Sequence, residues 1–380
     1  MKFVLMPDSF KGTLSSEQIC QIMTEEIQNI LPNATAVSVP VADGGEGSVD
    51  AFLSAVGGEK VYVTVKGPYF EDVEGFYSLI DQGKTAVIEM AAAAGLPLVG
   101  DRKCPSLTTT YGVGQLMLHA LQSGAKKIIL GLGGSATNDG GCGAAAALGV
   151  AFYDRDGKAF IPTGGTLKNI DRIDMSHIFA PLKEAEVVTM CDIDNPMYGE
   201  RGAAYIFAPQ KGADEQEVRR LDEGLVHLAE VLLRDTKKDL STLKGAGAAG
   251  AMGAGTVAFF DATLQMGIET VLDTVGFDGL VSDADFVITG EGKLDGQSLG
   301  GKVIDGIARR AKAQSKPVIA IVGGVVDKEI QPVYEAGVTA VFPACRLPVD
   351  FSVSRAQSEE NLRYTVRNAL RLMKTMQKEN

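Results

Sequence analysis

Acidic side chains recur in glycine-rich turns that follow short apolar runs of the sequence. The carboxylates at these turns belong to Asp8, Asp43, Glu46, Asp139, Asp192, Asp194, Glu291 and Asp295. Asp in a turn is common for local reasons, because its side chain caps helices and closes turns. Recurrence at strand ends, where α/β folds bind ligands, favours a functional set. Mg²⁺ takes one or two protein carboxylates together with water and phosphate oxygens, so the pattern indicates metal-assisted nucleotide chemistry.

Glycine is in excess, and its clusters coincide with several of these turns. The chain of 380 residues contains 45 glycines, where average usage would give roughly 27. The clusters lie at 44–47, 131–143, 245–255 and 290–301. Glycine lets backbone N–H groups approach a phosphate closely, and nearby cations would neutralise its charge. The candidate cations are Lys11, Lys211, Lys293 and Lys302.

One glycine cluster imitates a dinucleotide-binding motif. Residues 131–136, GLGGSA, follow a strand pattern, and Asp154 lies 18 residues beyond Ala136, near the place of a ribose-binding acid. This keeps a nicotinamide-dependent oxidoreductase that uses Gly131, Gly133 and Ala136 as an alternative function. The next residues, TNDGGCG, contain three glycines, each unfavourable in a helix by roughly 1 kcal/mol. A long loop is therefore expected here instead of a helix.

Two other segments match nucleotide-binding patterns only in part. Residues 245–250, GAGAAG, have the glycine spacing of a dinucleotide fingerprint, but the preceding residues do not form a strand pattern. Residues 296–302, GQSLGGK, are followed by Val303 where a P-loop needs Ser or Thr to bind Mg²⁺. Neither segment is expected to be a complete motif.

Short apolar runs alternate with helical patterns at both ends of the chain. Runs that end in turn residues before a helix lie at 3–6, 36–40, 286–289, 317–322 and 340–342. This βα repetition predicts a parallel sheet covered by helices. Between them, three runs separated by turns predict antiparallel hairpins at 62–65, 74–80 and 85–90. We therefore expect one domain from residues 1–65 plus 285–380, with a second domain, 66–284, inserted into it.

Charge and composition exclude several classes of protein. Lys and Arg number 36 and Asp and Glu 48, a net charge of −12, which repels nucleic acid as a partner. No apolar stretch approaches the roughly 18 residues that a membrane span needs. The five scattered cysteines favour a reducing compartment. We expect a cytoplasmic enzyme that binds neither nucleic acid nor membrane.

Ordered blocks along the whole chain resemble those of one enzyme family. The blocks include PDSFKG at 7–12, ADGGEG at 42–47, GLGGSATNDGG at 131–141, CDIDNP at 191–196, PQKG at 209–212 and TGEGKLDGQS at 289–298. With them the chain resembles the bacterial glycerate kinase family (type-1, glycerate 2-kinase), whose members phosphorylate D-glycerate with ATP. The resemblance implies an α/β fold of two domains, a discontinuous Rossmann-like domain and an inserted mixed-sheet α/β domain, with the active site in the cleft between them. It also implies ATP and Mg²⁺, and it favours the 2-hydroxyl as acceptor, although the residues alone do not separate the 2- from the 3-hydroxyl.

The glycine-rich turns, together with the positions that the resemblance carries over from the family's motifs, give the expected site residues. Those expected to bind substrate or nucleotide are Asp8, Ser9, Asp43, Gly44, Gly45, Gly133, Gly134, Ser135, Asn138 and Lys302. Those expected to hold the metal are Glu46, Asp139, Glu291 and Asp295. Lys11 and Lys293 would offset the transition-state charge, and Asp192 or Asp194 would accept the hydroxyl proton. Lys293 and Gly301 stand where the family usually has Arg and His.

Overall fold

The computed structural model describes residues 1–41, 47–295, 302–326, 330–346 and 350–376. Its backbone divides into two compact units. The first unit comprises Met1–Asp43, Ser54–Val56 and Met266–Asn380. The second comprises Gly44–Leu53 and Gly57–Gln265. Most of the second unit is thus inserted into the first along the chain.

Sixteen strands and fifteen α-helices lie in the described residues. The strands are β1 (Lys2–Pro7), β2 (Thr35–Ser38), β3 (Glu59–Lys66), β4 (Asp72–Ile80), β5 (Thr85–Glu89), β6 (Lys127–Gly131), β7 (Ala151–Tyr153), β8 (Ala159–Phe160), β9 (Arg172–Asp174), β10 (Glu186–Met190), β11 (Thr263–Gln265), β12 (Phe286–Gly290), β13 (Lys293–Leu294), β14 (Val318–Val322), β15 (Gly324–Val325) and β16 (Val338–Pro343). The helices are α1 (Ser16–Ile30), α2 (Ser48–Val56), α3 (Ala91–Ala94), α4 (Leu96–Val99), α5 (Tyr111–Gln122), α6 (Cys142–Ala147), α7 (Ala203–Phe207), α8 (Glu215–Thr236), α9 (Ala248–Phe260), α10 (Gly267–Thr274), α11 (Phe277–Val281), α12 (Val303–Ala313), α13 (Gln331–Ala336), α14 (Phe351–Ala356) and α15 (Ser358–Met376). Short 3₁₀ helices cover Asp81–Gly83, Gly164–Asn169, Ala180–Glu184 and Pro209–Lys211.

Five parallel strands form the main sheet of the first unit, in the order β2–β1–β12–β14–β16. This is a doubly wound arrangement, in which the direction of strand addition reverses between β1 and β12. Phe3 and Leu5 of β1 pack in a core with α1 and α15. Val4 and Met6 point to the opposite face and are also fully buried. Because both faces are covered, β1 reads as a continuous apolar run in the sequence.

A carboxylate joins α1 to α15 in the first unit. Glu26 on α1 is only 1% exposed. It accepts hydrogen bonds from Arg363 Nη1 at 3.2 Å and from Arg367 Nε and Nη2 at 2.6 and 2.9 Å. Burial opposes ionisation of Glu26, but the hydrogen bonds from Arg367 and Arg363 outweigh it and lower the pKa of the carboxyl. The charged pairing therefore contributes to the packing of the two helices.

Six strands form the main sheet of the second unit, in the order β3–β4–β5–β6–β10–β11. β3, β4 and β5 pair antiparallel, which confirms the predicted hairpins. β5, β6, β10 and β11 pair parallel. Gly131 aligns with Glu89 on one side and with Met190 on the other, so three parallel strands end together. A separate antiparallel sheet has the order β8–β7–β9.

The first residues of α9 adopt a backbone conformation that is unfavourable for alanine. Ala249, Gly250 and Ala251 have φ of 54°, 66° and 65°, a left-handed conformation that costs an alanine roughly 1–2 kcal/mol. A Cβ on Gly250 would lie 2.0 Å from Thr137 O, so only glycine permits this close approach. No strand lies between Lys237 and Gly247, which confirms that GAGAAG is not a dinucleotide fingerprint.

The structure confirms the α/β class and the mixed sheet predicted from the sequence. The predicted domain boundaries at about residues 65 and 285 stay predictions, and β3 as a whole lies in the second unit. Within the described ranges, no helix has the length and apolar composition of a membrane span.

Candidate functional site

A cavity of about 560 Å³ lies at the carboxyl edge of the first unit's main sheet. Pro7 of β1 is the register partner of Gly290 of β12, and the Asp8 N–H donates to Gly290 O at 2.8 Å. The turn after β1 and the turn after β12 therefore begin next to each other. Doubly wound sheets bind ligands at this edge, where the strand order reverses. The predicted site residues that line the cavity are Asp8, Ser9, Lys11, Glu291, Lys293, Asp295 and Lys302.

Polar groups of both charges line this cavity. Asp8 Oδ1 accepts a hydrogen bond from the Ser9 N–H at 2.6 Å. Lys293 Nζ lies 3.2 Å from Asp295 Oδ2, and the lysine side chain is largely exposed. Glu291 is 9% exposed. Carboxylates beside an exposed ammonium can bind a metal cation together with a phosphate. The carboxylates attract the cation, and the ammonium attracts the phosphate.

Further residues that line the cavity lie at the start of α12 and directly after β14. Lys302 is the N-cap residue of α12, which has 11 residues, and the N-terminal end of a helix favours an anion. A Cβ on Gly323 would lie 2.3 Å from Gly292 O. Glycine at 323 therefore lets the turns after β12 and β14 meet, and β13 and β15 pair there in parallel. Lys11, which follows β1, is exposed.

In the second unit, residues 132–141 form a ten-residue loop between β6 and α6. Gly134 has a φ of +72° and is exposed, whereas Ser135 is 6% exposed. The Leu96 N–H donates to Gly134 O and the Ala136 N–H donates to Ala94 O, both at 2.8 Å. This confirms the predicted long loop. A dinucleotide motif needs a helix to begin within its glycines, so the oxidoreductase alternative is not supported.

Asp139 holds this loop from inside the protein. Its side chain has no exposed surface. The carboxylate accepts hydrogen bonds from the Thr110 N–H at 2.7 Å and hydroxyl at 2.9 Å, and from the N–H groups of Gly141 and Gly143 at 3.2 Å. Burial raises the pKa of Asp139, although these hydrogen bonds oppose the shift. The geometry favours a positioning role, and the predicted metal role stays a prediction.

A buried lysine contacts the same loop. Lys211 is 2% exposed, and its Nζ donates to Ser135 Oγ at 2.9 Å and to Thr137 O at 2.7 Å. Burial lowers the pKa of Lys211 to about 7, against the opposing effect of the Asp139 charge. The sequence marks Lys211 only as one cation among several. No local sequence signal distinguishes it from the other cations, because its acceptors lie in a loop more than 70 residues away in the chain.

Asp192 and Asp194 follow the end of β10. Asp192 is half-buried, two residues beyond the Met190 position that aligns with Gly131. The carboxylate therefore lies at the same sheet edge as the 132–141 loop. Asp194 is 68% exposed, and its Oδ1 lies 3.7 Å from Arg201 Nη2. Of the two candidate bases, Asp192 has the more enclosed position.

The other predicted binding residues differ in burial, and several lie outside the described ranges. Gly133 lies half-buried in the 132–141 loop. Asn138 is fully buried, and neither its Oδ1 nor its Nδ2 has a hydrogen-bond partner among the described residues. The predicted residues Asp43, Gly44, Gly45 and Glu46 lie outside the described ranges, as does most of the 296–302 segment.

The arrangement of acidic side chains bears on metal binding. In the parts of the chain that the structure describes, no group of three or more His, Cys, Asp or Glu side chains could enclose a metal ion. Mg²⁺ does not need such a cage, because it binds through one or two carboxylates plus phosphate and water. Glu291 and Asp295, two carboxylates that line one cavity, fit that requirement.

Comparisons with known proteins agree along nearly the whole chain. The glycerate kinase family matches residues 3–374. Glycerate kinase of Bacillus cereus is 45% identical over 369 residues, 97% of each chain. Glycerate 2-kinase of Escherichia coli is 45% identical over 343 residues, 90% of each chain. The crystal structure of a Salmonella typhimurium LT2 protein described as glycerate kinase 2 superimposes with a TM-score of 0.89 at 40% identity, covering 100% of this chain and 99% of that one. On this basis the chain belongs to the glycerate kinase family.

Proposed function

We propose that this chain transfers the γ-phosphate of ATP to a hydroxyl of D-glycerate. The observation that carries the proposal is the cavity where the strand order reverses, because carboxylates and lysines of the matched motifs line it together. Family membership over residues 3–374 supports the same reaction. The 2-hydroxyl is the favoured acceptor, since the Escherichia coli relative is named a glycerate 2-kinase.

The 132–141 loop binds the triphosphate in this proposal. Gly133 and Gly134 leave room for backbone N–H groups to approach phosphate oxygens. The Ser135 hydroxyl supplies a further donor. Several hydrogen bonds already fix the loop, among them Thr108 Oγ1 to Ala136 O at 2.8 Å. The donors therefore need little reorganisation when the nucleotide binds, which strengthens electrostatic stabilisation.

The cavity of the first unit supplies cations and a helix end. Lys11 and Lys293 offset charge that develops on the transferring phosphoryl group, a role in which charged donors act strongly. The amino-terminal end of α12 and Lys302 attract the glycerate carboxylate. Ser9, whose backbone N–H is held by Asp8, offers its hydroxyl to the substrate.

Mg²⁺ fits the carboxylates of this cavity. Glu291 and Asp295, the predicted metal ligands that line it, would hold the ion, in keeping with the one or two carboxylates that Mg²⁺ takes from a protein. When bound, the ion supplies charge neutralisation to the β- and γ-phosphates. Lys293 Nζ lies 3.2 Å from Asp295 Oδ2, so a cation of this chain already faces that carboxylate.

Asp192 is the proposed general base. A carboxylate at the end of β10 is suited to accept the proton of the attacking glycerate hydroxyl. Asp194 is less suited, because solvent and Arg201 already stabilise its charge. The expectations of a cytoplasmic location and of no nucleic-acid partner stay predictions.

A single assay tests the reaction and its regiochemistry. The protein is incubated with ATP, Mg²⁺ and D-glycerate, ADP is followed continuously, and ³¹P NMR identifies the phosphorylated hydroxyl. We expect ADP formation that depends on D-glycerate and a 2-phosphate product. The absence of glycerate-dependent ADP would refute the kinase proposal, and a 3-phosphate product would refute only the choice of hydroxyl.

A pair of lysine variants tests the site within the same assay. Lys11→Ala should lower kcat/KM at least about 100-fold, as expected for a cation that stabilises the transition state. Lys158→Ala is the matched control, because Lys158 is an exposed lysine in the β7–β8 turn and should leave kcat/KM unchanged. Equal activities of the two variants would remove Lys11 from the site.

A further inference from the structure

Lys211 is buried where a lysine is expensive to bury. Its side chain is among the largest fully enclosed side chains of the protein. An enclosed ammonium is unfavourable by several kcal/mol unless it is hydrogen-bonded. Nζ meets this requirement with two acceptors of the 132–141 loop, Ser135 Oγ at 2.9 Å and Thr137 O at 2.7 Å. An apolar side chain of similar length would fill the same space without that desolvation.

The loop backbone at residues 134–136 has hydrogen bonds that do not involve Lys211. Gly134 O and the Ala136 N–H bond to the backbone at Leu96 and Ala94. Thr108 Oγ1 donates to Ala136 O. These contacts fix residues 134–136 from the side of α3 and α4. Lys211 adds a hydrogen bond to the next backbone carbonyl, Thr137 O, and a contact with the Ser135 side chain.

The direction of this hydrogen bond determines what the serine can do. Below its pKa of about 7 the Lys211 amine is an ammonium, which has donors only, so Ser135 Oγ then accepts from Nζ. The hydroxyl hydrogen of Ser135 must then point away from Lys211 and is available to another acceptor. A hydroxyl that accepts from a cation is also polarised and becomes a stronger donor. Without Lys211 the hydroxyl could rotate inward to the protein.

The geometry points to Lys211 as a positioning residue that directs the Ser135 hydroxyl toward a phosphate oxygen of bound ATP. This inference rests on the proposed function for the identity of the ligand. Lys211 itself does not touch ATP, because its side chain is only 2% exposed. It acts only through the serine.

The test compares Lys211→Met, Ser135→Ala and the double variant. The measurements are KM for ATP, KM for D-glycerate and kcat, together with the Kd for ATP by calorimetry without glycerate. Each single variant should raise KM and Kd for ATP by about 10- to 100-fold, the range of a hydrogen bond to a charged group. The double variant should be no weaker than either single variant, because both remove the same interaction. KM for glycerate and kcat should stay within about threefold of wild type.

A matched control makes the same kind of substitution away from the proposed site. Lys168→Met replaces a 52% exposed lysine that pairs with Glu223, and it should leave KM for ATP within about twofold. If a variant only reduced the fraction of folded protein, the apparent kcat would fall and KM for ATP would not change. If Lys211→Met does not fold, Ser135→Ala alone still decides, since an unchanged KM for ATP in that variant overturns the inference.

The remaining outcomes distinguish this inference from the proposed function. Additive losses in the double variant would overturn the inference, because the two side chains would then act separately. A wild-type protein that binds ATP but forms no glycerate-dependent ADP would refute the kinase proposal. The comparison of Kd values for ATP would still test Lys211 in that case.

Discussion

The enclosed amine of Lys211 makes a specific prediction about stability and pH. The pKa of Lys211 is lowered by burial to about 7 from an ordinary value of 10.5. Between these two values the unfolded chain binds a proton at this lysine that the folded chain has released. The free energy of unfolding therefore rises with pH in this window, because stability increases wherever the unfolded state binds more protons.

The size of the effect follows from the two pKa values. One unit of pKa difference corresponds to about 1.4 kcal/mol. From pH 7 to pH 9 the folded amine loses the remaining half of its proton and the unfolded amine keeps its own, which gives a gain of about 2 kcal/mol. At a urea m-value of about 2 kcal/mol/M the midpoint should move by about 1 M. Asp139 is the charged group that opposes the shift of Lys211, so neutralising it should lower the pKa of the amine further.

Urea unfolding at pH 7, 8 and 9 measures this gain for wild type and Lys211→Met. Far-UV circular dichroism is the readout, because the chain contains no Trp. Lys168→Met is the matched control: it removes a 52% exposed lysine that pairs with Glu223, and it should keep the wild-type pH dependence. The same pH dependence in wild type and in Lys211→Met would refute the reasoning, as would a lysine Cε chemical shift that titrates only near pH 10.

Three further predictions concern the base, a buried ion pair and a glycine. Asp192→Asn should lower kcat about 100- to 10,000-fold, and a kcat within tenfold of wild type would exclude Asp192 as the base. Glu26→Gln should destabilise the protein by about 1–3 kcal/mol, since it weakens a pairing buried between α1 and α15, whereas Glu25→Gln, with its 40% exposed carboxylate, should cost less than about 1 kcal/mol in the same urea titration. Gly143→Ala should destabilise by about 1–3 kcal/mol, because its Cβ would lie 2.1 Å from Thr109 Oγ1. Gly279→Ala, which meets no atom within 4 Å, should be neutral or stabilising by thermal unfolding.

The secondary structure of the first unit could be predicted because it depends on the local pattern of apolar and polar residues. The run at 3–6 is apolar at every position, as expected for a strand covered on both faces, and it forms β1. The glycine-rich segment 137–143 predicted a loop, and α6 begins only at Cys142. The order of the strands could not be predicted in the same way. β1 pairs with β12, which is separated from it by the whole second unit, and nothing in either run specifies its neighbour.

The sequence predicted which residue types form the candidate site, but not how buried each side chain is or what it contacts. Asp8 and Glu291 follow strands in the sequence, and the parallel pairing of β1 and β12 then brings both to one cavity. Asp139 has the same local pattern, a carboxylate among glycines. Donors from Thr110 and Gly143 nevertheless enclose it. Which carboxylates face a ligand and which hold a loop depends on segments distant in the chain.

The sequence by itself determined the alternation of strands and helices, the glycine-rich turns and the set of charged residues available for phosphoryl transfer, because these depend on local periodicity and residue type. Tertiary structure alone decided the burial of Lys211 and its hydrogen bond to Ser135, 76 residues away. Solvation is the physical reason. Whether a lysine is a hydrated surface cation or an enclosed donor depends on which atoms replace its water, and packing of distant segments supplies those atoms.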